Sequence, residues 1–323
     1  MKIRIWGARG SIPTPMTTTE LRERLRETLE RSQGINLSDP AAMNRFIERL
    51  PPYLNTVVSG NTTCVELRVN DSLFILDMGS GIRLLGKELM QTEFGSGTGI
   101  AHIFMSHTHW DHIEGFPFFA PAYTPGNVLR IHSPFPDMDW RLRQVMRHPF
   151  FPVELDYPQA TRIYNLLTPG EIHEIEGVTV EIRELHHPGS SFAYRFTFND
   201  KVFVYATDGE YQKMEHEYTA LYESFFKDAD VLIFDAQYDF TEAITNKADW
   251  GHSTPKIGAE LAWRAGVKRL VLTHHDPDSP AQHLWNKVDD ADHHLQYRAS
   301  RTGNGHTPPV EVLLAYEGLT IEI

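Results

Sequence analysis

An α/β chain with two sheets packed face to face and helices on the outside is the fold class that the sequence predicts. Three observations carry this. Short runs rich in Ile, Val, Leu and Phe, bounded by Gly, Asn and Asp, recur in both halves of the 323 residues. Helical stretches accompany each half, and no uninterrupted apolar run approaches the ~20 residues of a membrane span. With 41% hydrophobic and 23% charged residues, the composition is that of an ordinary globular protein.

Lys2–Trp6 reads as the first strand, and Thr18–Arg31, dense in Leu, Arg and Glu, as a helix. Pro40–Leu50 forms a second helical stretch, stopped by Pro51-Pro52. The segment 16–54 is too short for a comfortable core of its own and reads as a helical insertion within a single domain spanning 1–323. Its apolar groups suit packing on a second subunit or closure over a pocket. Cys64–Val69 and Leu73–Leu76 follow as strands joined by an Asn70-Asp71 hairpin, then Ile100–Met105. Phe116 to Pro158, crowded with aromatics and prolines, reads as too irregular for regular sheet, and equally as packed loops or a substrate-facing wall.

In the second half, Val178–Arg183, Phe192–Phe198, Val202–Ala206, Val231–Phe234 and Arg269–Thr273 read as strands, with Asn199-Asp200 as a hairpin turn. Pro255–Ala265 and Pro280–Arg298 read as helices. Val310–Tyr316 and Leu319–Ile323 close the chain as a last pair of strands.

The formal net charge of −13 suits a long phosphate backbone poorly, although a small anionic substrate remains compatible with it if a metal supplies local positive charge. The single cysteine, Cys64, sits inside a strand pattern and excludes an internal disulfide framework and a Cys-rich zinc module. The opening residues run straight into a strand pattern without a long apolar region, so the expected location is cytoplasmic and no membrane partner is expected.

The 17 histidines are the unusual feature. Ser106-His107-Thr108-His109-Trp110-Asp111-His112 follows directly on an apolar strand. Histidines two apart at a strand end project to one side, and Asp111 and His112 follow on the next turn. Four ligand-capable side chains at this density suit two adjacent metal ions. Neutral imidazole and carboxylate favour Zn²⁺, with Mn²⁺ or Fe²⁺ tolerated.

This His-x-His-x-Asp-His motif resembles the hallmark of the metallo-β-lactamase superfamily, a four-layer αββα sandwich. Leu185-His186-His187-Pro188-Gly189, Tyr205-Ala206-Thr207-Asp208-Gly209 and Val271-Leu272-Thr273-His274-His275 match its later motifs in order. The resemblance implies one metal held by His107, His109 and His187 and another by Asp111, His112 and His274, with Asp208 shared. Each doublet leaves an alternative, His186 for His187 and His275 for His274; the neighbouring Pro-Gly and Leu-Thr favour the assignments given. Asn61-Thr62-Thr63-Cys64 and Leu76-Asp77-Met78-Gly79-Ser80-Gly81 resemble the phosphodiesterase-like branch, which implies that Asp77 orients a ligand histidine; as a residue close to Gly79 it reads equally as a turn-former.

Phe234-Asp235-Ala236-Gln237 and Trp250-Gly251-His252-Ser253-Thr254 are similar to two further segments of that branch, in which an acidic residue pairs with a histidine. His252 is read as a proton donor supported by Asp235; together with Asp111 these are the catalytic candidates. The competing reading of His252 is a pocket-shaping residue beside a helix capped by Ser253 or Thr254.

The expected activity is a binuclear metal-dependent phosphodiesterase acting on a small substrate, cyclic phosphodiesters included, by attack of a hydroxide shared between two metals. Ester, thioester or lactone hydrolysis is the alternative. A tRNA 3′-processing endonuclease fits less well, because only about 20 residues separate His187 from Asp208, too few for the arm that grips tRNA. A non-catalytic metal-binding sensor fits least, given seven intact ligands. A homodimer fits the resembled branch.

Overall fold

The computed structural model describes residues 1–58, 60–239, 249–301 and 310–323. Two seven-stranded sheets form the centre. The first holds β1 (Lys2–Gly7), β2 (Cys64–Val69), β3 (Ser72–Leu76), β4 (Ile100–Phe104), β5 (Val128–Ser133) and β6 (Thr161–Leu166). The second holds β7 (Ile172–Ile175), β8 (Val178–Leu185), β9 (Ser191–Phe198), β10 (Lys201–Ala206), β11 (Val231–Asp235), β12 (Arg269–Thr273) and β13 (Glu311–Leu314), while β14 (Thr320–Glu322) returns to the first sheet.

Strand periodicity builds the layers. Phe74 and Leu76 of β3 face the second sheet, where they join Phe196, Phe203, Tyr205 and Ile233 in one core. Their neighbours Leu73 and Ile75 point the other way, into a core with Ile82, Leu85, Met138 and Leu142. Val204, Leu232, Phe234 and Leu272 likewise leave the second sheet outwards, to meet Phe226, Leu261, Leu284 and Leu295. Strands buried on both faces carry near-continuous apolar runs, as in Val231–Phe234. The result is the αββα order of four layers. The outer helices are α4 (Ile82–Leu89), α6 (Met138–Val145), α7 (His216–Phe226), α8 (Pro255–Ala265) and α9 (Ala281–Arg301), with the short α5 (Trp110–Ile113) at the end of β4.

The expected insertion contains α1 (Thr18–Arg31), α2 (Pro40–Glu48) and α3 (Pro52–Asn55). A capping box between Thr17 and Glu20 starts α1. Asp39 caps α2 with Pro40 at its first turn. None of the three helices buries a side chain, and Leu21, Leu25 and Leu29 stand exposed along α1.

Both hairpins occur where expected, Val69 pairing with Ser72 and Phe198 with Lys201. The last two strands form where expected and divide between the sheets, β13 running parallel to β12 and β14 antiparallel to β1. One expectation is corrected. The Phe116–Pro158 segment is not wholly irregular, because β5 and α6 lie inside it. Its prolines and aromatics flank these elements and mask them. Cys64 is buried, and burial pushes its thiol pKa up.

Candidate metal centre

The topology brings the functional residues to one end of the sandwich. β3, β4, β8, β10, β11 and β12 deliver Asp77, His107, His187, Asp208, Asp235 and His274 just at or beyond their C-terminal ends. This is the edge where α/β sheets present their sites. Asp77, Asp208 and His274 have φ of 60°, 54° and 58°, a left-handed conformation that turns the chain sharply as each strand ends.

All seven expected ligands converge. His112 Nε2 lies 3.3 Å from Asp111 Oδ2 and 3.3 Å from His274 Nε2, and His274 Nε2 lies 3.1 Å from Asp111 Oδ2. A tetrahedral ion with arms of about 2.0–2.1 Å needs donor separations of about 3.3 Å. Asp208 closes this group, with Oδ2 3.2 Å from His112 Nε2 and Oδ1 3.2 Å from His274 Nε2. The same Oδ1 lies 3.7 Å from His107 Nε2 and 3.9 Å from His187 Nε2, and His187 Nε2 is 3.0 Å from His109 Nδ1. Asp208 therefore stands between two donor triads.

Hydrogen bonds behind the rings decide which nitrogens face inwards. A carbonyl or carboxylate can only accept, so His187 Nδ1 donates to Gly251 O at 2.8 Å and His112 Nδ1 donates to Asp77 Oδ2 at 2.8 Å. His274 Nδ1 donates to Gln237 Oε1 at 3.0 Å. Ser106 Oγ gives its proton to Asp77 Oδ2 and so accepts from His107 Nδ1 at 3.0 Å. Each ring thus turns Nε2 towards the centre. His107 Nε2 is buried and has no hydrogen-bond partner among the described residues. An orphaned buried nitrogen beside carboxylate oxygens fits a site built for a cation.

Electrostatics point the same way. Asp77, Asp111, Asp208 and Asp235 are all buried. Burial opposes charge on His112, but Asp208, Asp111 and Asp77 outweigh it and raise its pKa. The same contest, led by Asp208, lifts His274 to about 9. Burial alone would raise the Asp208 pKa; His274, His112 and His107 hold it well below the carboxylate range. His107, His109 and His187 are pushed down, mainly by burial, which favours the neutral imidazole that a metal ion would need.

The two histidines of each doublet part company in space. His186 is exposed and meets Gln212 instead. His275 is buried with Nε2 on Ala315 O. Asp77 is more than a turn residue: besides His112, it accepts from Ser106 N, Ser106 Oγ and Tyr205 Oη. His252 Nδ1 donates to Asp235 Oδ2 at 2.7 Å, and its ring stacks on His274 with centroids 4.9 Å apart. Thr254 caps α8 through Ile257 N, so the cap beside His252 is real as well. Sequence reasoning missed Gln237, Tyr205 and the backbone N–H of Ser11, which donates to Asp111 Oδ2 at 2.8 Å. Gln237 and Tyr205 lay inside quoted motifs without being singled out; Ser11 gave no local signal.

A family model described as a beta-lactamase superfamily domain matches residues 74–275, from the strand before Asp77 through the last histidine doublet. The chain belongs to the beta-lactamase superfamily. Among curated relatives of this superfamily member, a ribonuclease Z from Nostoc punctiforme is 24% identical over 267 residues, covering 68% of this chain and 80% of the relative. A ribonuclease Z from Halorubrum lacusprofundi is 27% identical over 240 residues, covering 58% and 74%. Among solved structures, the metallo-beta-lactamase fold protein YhfI from Bacillus subtilis covers all of this chain and 98% of its own, with TM-score 0.63 and 17% identity. Human tRNase Z, short form, aligns with TM-score 0.57 and 19% identity over 100% of this chain and 99% of its own. These likenesses establish the metallo-β-lactamase fold and, with the clustered donors, a metal-dependent hydrolase as the coarse class. No described helix is long and apolar enough to cross a membrane.

Proposed function

We propose that this chain is a binuclear phosphodiesterase of the phosphodiesterase-like branch, acting on a small, in particular cyclic, phosphodiester. His107, His109 and His187 would hold one divalent ion and Asp111, His112 and His274 the other, with Asp208 shared. Zn²⁺ suits this donor set best. When bound, the ions lower the pKa of water to make the nucleophile and neutralise the phosphoryl oxygens.

The observation that carries the choice of phosphorus is the Asp235–His252 pair beside these donors. Asp235 takes the Nδ1 proton at 2.7 Å and fixes the ring, so a proton held at Nε2 can pass to a departing alkoxide. His252 is therefore the general acid, and Asp235 its positioning residue. Alkoxide leaving groups need that proton far more than thiolates do, which disfavours thioesters; against carboxylic esters the support is the resemblance of both segments to the phosphodiesterase-like branch. Substrate size follows from two features. The chain between His187 and Asp208 is the tight β9–β10 hairpin, which offers no arm for tRNA, and the net charge of −13 opposes a long polyanion.

The test compares bis(p-nitrophenyl) phosphate, a p-nitrophenyl carboxylic ester and a thioester, followed by cyclic and linear phosphodiesters with Zn²⁺ and Mn²⁺ in turn. Preferential turnover of the diesters, greatest for a cyclic one, supports the proposal. Preference for the ester or thioester would replace it with carbonyl chemistry. Efficient cleavage of a tRNA 3′ trailer with slow turnover of small diesters would overturn the substrate size.

A further inference from the structure

We propose that Glu210, two residues beyond the bridging aspartate, is a positioning residue that sets both a ligand histidine and the general acid. It does so through the Asp249–Gly251 turn; the proposal rests on the metal-centre reading above. Glu210 Oε1 accepts from Asp249 N at 3.1 Å, and Oε2 accepts from Gly251 N at 3.0 Å. The Gly251 carbonyl accepts from His187 Nδ1 at 2.8 Å, and His252 is the next residue. The bracket closes on itself, because Glu210 N donates to His186 O at 2.9 Å, one residue before His187. A single carboxylate thus ties the strand end bearing Asp208 to the turn that aims His187 and presents His252.

The turn leaves no slack. Gly251 has φ of 85°, and a Cβ there would come within 2.2 Å of His187 Nδ1. The backbone must approach the imidazole this closely to offer its carbonyl, and Glu210 holds two of the turn's backbone N–H groups. His186, Glu210 and Asp249 also lie close enough to suggest a third metal site. That reading fails on the geometry. Gln212 Nε2 sits between them, 2.6 Å from Asp249 Oδ1 and 3.3 Å from His186 Nε2, and both Glu210 oxygens already accept backbone N–H groups.

The consequence is specific. Losing the bracket frees the Gly251 carbonyl, so His187 no longer holds Nε2 inwards, and His252 loses its place relative to the leaving oxygen. Partners that orient metal-bound histidines are worth roughly 10–100-fold in affinity or activity. The experiment compares wild type, Glu210→Ala, Glu210→Gln and His187→Ala by three readouts. These are Zn²⁺ affinity against a chromophoric chelator, kcat/KM for p-nitrophenyl against alkyl phosphodiesters, and urea unfolding of the metal-free protein.

Glu210→Ala is expected to weaken one Zn²⁺ equivalent by roughly 10–100-fold and to slow alkyl diesters more than p-nitrophenyl ones. Glu210→Gln, which keeps one acceptor oxygen, is expected to recover part of both and stands in if the alanine variant does not fold. Zn²⁺ affinity and leaving-group dependence equal to wild type would overturn the proposal, even if the metal-free protein were destabilised, since that alone marks a structural role. If His187→Ala weakens Zn²⁺ binding while both Glu210 variants do not, the bracket fails and the metal centre stands. If wild type binds no Zn²⁺, or His187→Ala matches it, both readings fall.

Discussion

Replacing Asp77 by asparagine leaves the number of heavy atoms unchanged, yet the structure predicts a large effect. The carboxylate is fully buried and accepts four hydrogen bonds. Oδ1 takes Ser106 N at 2.7 Å; Oδ2 takes Ser106 Oγ at 2.6 Å, Tyr205 Oη at 2.7 Å and His112 Nδ1 at 2.8 Å. Every partner donates, so the new amide NH₂ faces a donor whichever way it turns. Turned towards Ser106 N, it orphans a buried backbone N–H. Turned towards Oδ2, it drives His112 to the tautomer that accepts at Nδ1, which puts a proton on the Nε2 that faces the centre. One unsatisfied buried donor costs about 1–3 kcal/mol, and bonds to a charged acceptor lose about 1 kcal/mol more when the charge goes. Urea unfolding of metal-free Asp77→Asn should therefore show a loss of about 2–4 kcal/mol. The ion held by Asp111, His112 and His274 should bind roughly 10–100-fold more weakly in chelator competition. Wild-type stability together with wild-type affinity for both ions would refute this reasoning.

Three further outcomes follow. His252→Ala should retain its metal content by elemental analysis while turnover falls by roughly 10²–10⁴-fold. Wild-type rates in that variant would remove the general-acid role. Asp208→Ala should lose at least one metal ion per chain, and full retention of both would undo the bridge. The third concerns pH. His132 is buried against Phe104 and His102, and burial, then His102, hold its pKa down to about 3. The unfolded chain takes up this proton near pH 6.5 and the native chain does not, so stability is full above that pH and falls as pH drops towards 3. By pH 5 the loss amounts to about 2 kcal/mol, and His132→Phe should flatten that limb of the urea midpoint against pH. An unchanged slope would contradict it.

Much of the site was legible because its residue types are rare and patterned. Four donors within His107–His112, and the histidines of Leu185–Gly189 and Val271–His275, stand out against any background of strands. The doublets could not be settled from sequence, since the discriminating facts are distant: His275 is taken by Ala315 O, and His187 by Gly251 O. Glu210, Gln237 and Tyr205 are ordinary residue types whose roles depend on partners far along the chain. The fold shows the same division. Apolar central strands such as Val231–Phe234 announced themselves, whereas β6 and β7 at the sheet edges, with Leu166 and Ile172 exposed, carried little periodic signal. The partition of β13 and β14 between sheets is a tertiary choice that local pattern does not encode.

The central claim is that two donor triads share Asp208 to hold a pair of divalent ions. Equilibrium dialysis of the metal-stripped chain against buffered Zn²⁺, read by elemental analysis, tests it most directly. The account predicts saturation at about two ions per chain, falling to one or fewer in Asp208→Ala. Saturation without tight binding, or an Asp208→Ala variant that still holds two, would contradict it.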